Sequence, residues 1–85
     1  MSKHLGHILF DHLARVDQSP KWLAEETHMT GERVACLLEG TDAPTPFEAL
    51  RIDKALNTPG KFLLLRDIAA YYIDQLRDKN RPNHL

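Results

Sequence analysis

The chain has little positive charge to offer a polyanion: eleven Lys and Arg stand against twelve Asp and Glu, a formal net charge of -1. Duplex DNA binding draws on clustered Lys and Arg that displace counterions, so bulk charge gives nucleic acid no support and only its distribution could. Cysteine occurs once, at Cys36, which excludes an internal disulfide and suits a reducing compartment. No apolar run approaches the roughly 18 residues of a membrane span. The opening MSKHLGH has neither a continuous apolar stretch nor a small-residue cleavage site, so no secretory signal is expected and the expected location is the cytoplasm. Alternating β-branched runs long enough for a strand are missing, as are internal repeats and low-complexity segments. Nothing resembles a nucleophile with its base, a phosphate-cradling glycine loop or a paired-carboxylate cleft. The chain therefore reads as a non-enzyme with no cofactor.

What is present is a small all-α protein. At 85 residues a chain buries only about 60% of its unfolded surface and supports one core. Cap and turn signals divide it into five helical segments. Leu5, Ile8, Leu9, Leu13 and Val16 recur at helical spacing and give the first segment one apolar face. Ser19 before Pro20 reads as an N-cap with proline at the first helical position, and this second helix runs to about Thr27 with Trp22 and Leu23 available to the core. Thr30 caps a third helix that Gly40 stops. Thr45-Pro-Phe-Glu48 is a capping box, and the fourth helix it opens reaches about Leu56, burying some of Phe47, Ala49, Leu50, Ile52 and Leu56. Thr58 with Pro59 repeats the signature, and the fifth helix runs from Pro59 to roughly Asp78. The domain spans residues 1–78, and residues 79–85 read as a frayed polar tail.

The third helix carries the functional question. On a helical wheel Gly31, Val34, Leu37 and Leu38 share one side, Glu32, Ala35, Cys36 and Glu39 the other, with Arg33 on the flank. Over residues 19–40, Lys21 and Arg33 oppose Glu25, Glu26, Glu32 and Glu39, a local balance of two minus four, or -2. The spacing from Leu23 and Ala24 through His28 and Met29 to Val34 and Leu37 seats two short helices across each other.

With these residues the chain resembles the helix-turn-helix domain of the Xre/Cro-repressor class, and most of all HigA-type antitoxins. The likeness runs through HLGHIL at 4–9, LAEETHMTGERVACLLEG at 23–40 and TPFEALRIDKALNTPGKFLLL at 45–65. It implies a lambda-repressor-like five-helix bundle that forms a homodimer, binds an operator palindrome in double-stranded DNA, and in antitoxins also neutralises a partner ribonuclease. Carried onto this sequence, the DNA-facing residues are Lys21, Thr30, Gly31, Glu32, Arg33 and Cys36. The departures fall on that surface. Pro20 stands where the family has a phosphate-gripping glutamine, His28 replaces the turn glycine, and Thr41-Asp42 replaces a basic pair.

Two readings stay open from the sequence. In one, the third helix enters the major groove, with Arg33 and Glu32 as base readers. In the other, the scaffold serves as a protein-binding module whose acidic face of Glu32, Glu39 and Asp42 engages a basic toxin or other partner. The fifth helix is apolar over more than one stripe, which points to a homodimer interface built from Leu64, Ile68, Tyr71 and Tyr72. His4, His7 and Asp11 share a helix face but lack a fourth ligand, so they read as a solvated face, and no metal is expected. Glu32 and Glu39 disfavour a thiolate at Cys36 and with it a redox role.

Overall fold

A computed structural model of the chain describes residues 4–80, with side chains to residue 75. Five helices follow one another, α1 Leu5–Arg15, α2 Pro20–Thr27, α3 Gly31–Glu39, α4 Pro46–Leu56 and α5 Lys61–Asn80, with no strand among the described residues. Capping chemistry sets most boundaries. The hydroxyls of Ser19, Thr30 and Thr45 accept from the amides of Trp22, Arg33 and Glu48, and Glu48 Oε1 accepts in return from the Thr45 amide at 2.8 Å. Each bond satisfies an amide that a helix start leaves orphaned. At the far ends His28, Gly40 and Asn57 adopt the left-handed conformation that stops α2, α3 and α4. His28 holds φ 58° in place of the glycine that would take it without steric cost.

The core gathers Leu5, Leu9 and Leu13 of α1, Leu23 and Ala24 of α2, Val34 and Leu37 of α3, Ala49, Ile52 and Leu56 of α4, and Phe62 of α5. Two expectations fail here, those for Val16 and Gly31. Val16 lies past the end of α1 as its C-cap and is exposed. Of the five α4 residues among which some were expected inside, Ala49, Ile52 and Leu56 are buried, while Phe47 and Leu50 are 73% and 49% exposed, because the buried face of α4 is the Ala49, Ile52, Asp53, Leu56 row. Gly31 is exposed, with open space where a Cβ would sit.

Two close approaches fix the frame. A Cβ on Gly6 would lie 2.2 Å from the Leu38 carbonyl oxygen, so only glycine lets α1 pack onto the end of α3. The His4 ring lies against Gly40, and His4 Nδ1 caps α1 by accepting from the Gly6 amide at 3.0 Å.

The fifth helix begins at Lys61, two residues later than the Thr58-Pro59 signature suggests, and runs two residues past the expected end. Its cap comes from α4. Buried Asp53 accepts from the amides of Phe62 and Leu63 at 2.7 and 3.1 Å and from the Thr58 hydroxyl at 2.9 Å. The carboxylate thereby gains the partners that its burial requires. The expected tail overlaps the end of α5 at residues 79–80, and its remainder lies outside the described residues.

Candidate functional site

The α2 and α3 helices are joined by residues 28–30, and α3 sinks Val34 and Leu37 completely into the core. What it leaves outside is Gly31, Glu32, Ala35 and Glu39. Cys36, expected on this outer side, is only half-buried there, and its carbonyl accepts from the Thr41 amide and hydroxyl. Thr30 serves as the N-cap of α3. Exposed Lys21 lines a shallow crevice with Pro20, Ala24, Glu25, Met29 and Gly31, beside the start of α3.

Arg33 does not join that outer face. Its Nε and Nη2 donate to the two carboxylate oxygens of Glu48 at 2.9 and 2.8 Å, Nη1 donates to Asp42 at 2.7 Å, and Nη2 also donates to the Ala43 carbonyl at 3.0 Å. Four of the five guanidinium donors are thus engaged within the chain. The hydrogen bonds that Arg33 donates to Glu48, then the one it donates to Asp42, raise the guanidinium pKa above its already high value, and the bond from Arg33 holds the Glu48 carboxyl below its usual range. A second arginine closes the same loop from the other side: Arg66 Nε donates to the Pro44 carbonyl at 2.7 Å. The connection 41–45 is therefore clamped between α3 and α5 by two guanidinium groups.

The flank position expected for Arg33 holds, and its guanidinium is directed to the 41–45 loop and the start of α4. A guanidinium reading guanine needs two free parallel N–H donors, and here the parallel pair faces Glu48. With Arg33 turned inward, the exposed side chains of α3 carry Glu32 and Glu39 and no cation. Helical spacing located the flank position, but the acceptors lie 9 and 15 residues away, beyond any local pattern. Glu48 was already legible as a capping-box residue; its second role was not.

The four residues expected at a dimer interface lie on one face of α5 at i, i+4, i+7 and i+8. Leu64, Ile68, Tyr71 and Tyr72 are between 49% and 66% exposed, and the two tyrosine rings meet edge to face at 5.9 Å. Ile68 and Tyr72 also line an apolar cavity of about 440 Å³ between α5 and the start of α1, with Leu5, Ile8 and Ala69. His4 and His7 stack at 3.8 Å, and no group of three His, Cys, Asp or Glu side chains is arranged to hold a metal among the described residues. No described helix is long and apolar enough to cross a membrane. Neither a family model, nor a curated protein, nor a solved structure matches this chain.

Proposed function

We propose that this chain is a dimeric, antitoxin-like protein on a helix-turn-helix scaffold that acts in the cytoplasm by holding a basic protein partner on the outer face of α3. The observation that carries this reading is the Arg33 network. It pairs the one cation of α3 with Glu48 and Asp42 and leaves Glu32 and Glu39 outward, a charge pattern that repels a polyanion and steers a cationic partner. The resemblance to HigA-type antitoxins makes a basic ribonuclease the expected class of partner. The exposed apolar face of α5 supports self-association through Leu64, Ile68, Tyr71 and Tyr72, since aromatic and aliphatic side chains grouped on one face suit an interface core. No catalytic role, cofactor or metal belongs to this reading.

A test uses the product of the adjacent gene and a Glu32→Gln/Glu39→Gln variant. The wild type should hold a basic partner that the variant releases while melting unchanged. Recovery of no stable protein partner, together with tight binding to one duplex sequence, would sink the proposal.

A second reading, operator recognition, is favoured by one arrangement. Lys21 stands beside uncovered Gly31 at the start of α3, where backbone N–H groups can receive a phosphate. A two-fold dimer would then place half-sites about one helical turn apart. In this reading Lys21→Ala weakens all duplexes alike, and Glu32→Gln changes the preferred base.

A further inference from the structure

The fourth helix turns its carboxylates inward and its cations outward. Glu48 is bound to Arg33, and Asp53 is buried under the start of α5. On the opposite side Phe47, Leu50, Arg51 and Lys54 follow one another at i, i+3, i+4 and i+7, and all four are exposed. Phe47 is the most exposed of the large apolar side chains, at 73%. Arg51 and Lys54 take part in no side-chain hydrogen bond or ion pair among the described residues, whereas Arg33, Arg66 and Lys61 all do. The face therefore combines two apolar side chains with two positive charges that no α4 carboxylate offsets.

We infer that this outer face of α4 is a docking surface for an acidic, amphipathic peptide segment of a partner protein. The inference is independent of the acidic α3 face and calls for a partner of the opposite charge. Carboxylates on the segment pair with Arg51 and Lys54, and its apolar side chains cover Phe47 and Leu50. Charge complementarity selects an anionic occupant, and the apolar pair selects among anions. A duplex backbone has phosphates for the cations but no apolar surface for Leu50. A lipid surface needs more buried apolar area than two side chains provide, since even one myristoyl chain binds only marginally. An acidic segment with apolar residues at helical spacing satisfies both halves of the face, in the manner of an amphipathic helix docking through anchors one turn apart.

The probe is a synthetic helical peptide with Leu at i, i+3 and i+4 and Glu between, titrated into the full chain and followed by backbone and methyl NMR. Saturable shifts should be confined to residues around Phe47, Leu50, Arg51 and Lys54. Replacing one of the peptide's leucines by serine, or Phe47→Ser in the protein, should weaken binding about tenfold, the size expected for losing one well-buried apolar contact. Arg51→Glu/Lys54→Glu should abolish saturation. Because these side chains are exposed, each variant should melt within about 4 °C of the wild type, which separates lost docking from lost fold. Shifts centred on α3 or α5, or an unchanged affinity in Phe47→Ser, would overturn the inference. So would tighter, Phe47-dependent binding to phosphatidylserine vesicles or to duplex DNA, or loss of self-association in Phe47→Ser, which would assign the face to a second copy.

Discussion

Replacing Arg33 by alanine separates a clamp from a reader. The wild-type guanidinium joins α3 to the first turn of α4 through both Glu48 oxygens, and to the preceding loop through Asp42 and the Ala43 carbonyl. Breaking a fully buried ion pair costs about 3–5 kcal/mol, and breaking an exposed one about 0–1 kcal/mol. Here the side chains of Arg33, Glu48 and Asp42 are 26%, 16% and 46% exposed, which places the loss between those limits, at about 2 kcal/mol. In a domain of this size each kcal/mol moves Tm by roughly 4–8 °C, so the expected drop is about 10 °C. Thermal melts by far-UV circular dichroism measure it. A cycle with Glu48→Gln, which keeps an acceptor for the Thr45 amide, isolates the ionic part and should give a coupling of about 1 kcal/mol. The acid limb adds an independent check. The hydrogen bond from Arg33 holds the folded Glu48 pKa below its ordinary 4.5, so the stability it contributes is present above that value and is lost as pH falls through the lower folded one. Arg33→Ala should flatten this limb. A variant that melts within about 0.5 kcal/mol of the wild type and yet loses duplex binding would refute the reasoning, because Arg33 would then serve a nucleic acid and not the fold.

Other perturbations follow from the same frame. Gly6→Ala should destabilise by about 2 kcal/mol or more in denaturant melts, since its Cβ meets the Leu38 carbonyl at 2.2 Å; the usual helix preference for alanine, near 1 kcal/mol, would otherwise stabilise α1. Asp53→Ala should remove about 2 kcal/mol by uncapping α5, whereas Leu64→Ala on the exposed face should leave monomer stability nearly unchanged. His4 accepts the Gly6 amide through an unprotonated Nδ1, and partial burial followed by the charge of His7 lowers its pKa from 6.5. Its contribution is therefore present above pH 6.5 and lost as pH falls through the depressed folded value. His4→Asn, which retains a cap acceptor, should lessen the pH dependence of the melt in that window.

The helices of this protein are written locally and its surface is not. Ser19-Pro20, Thr30, Thr45-Pro46 and Gly40 mark boundaries because caps act within one turn of the chain, and the inward row Val34 and Leu37 follows from a period of 3.6 residues. Which of Phe47, Ala49, Leu50, Ile52 and Leu56 are buried stays open in the sequence because α4 offers two apolar rows, and only the position of α2 and α5 decides which row is covered. The start of α5 was misplaced for a similar reason: Thr58-Pro59 has the form of a cap, but the acceptor that serves α5 is Asp53, on the preceding helix. Arg33 is the sharpest case. Its flank position was legible, but its direction depends on Asp42 and Glu48, which come near only after the 41–45 loop has folded back between α3 and α5.

The central claim is that the inward Arg33 leaves an acidic α3 face unsuited to duplex DNA. Selection from a pool of genomic duplex fragments at physiological salt tests it most directly. The account predicts no enriched palindrome, together with residual low-salt binding that is insensitive to Glu32→Gln. Enrichment of one palindromic sequence, bound tightly and with its base preference altered by Glu32→Gln, would contradict it.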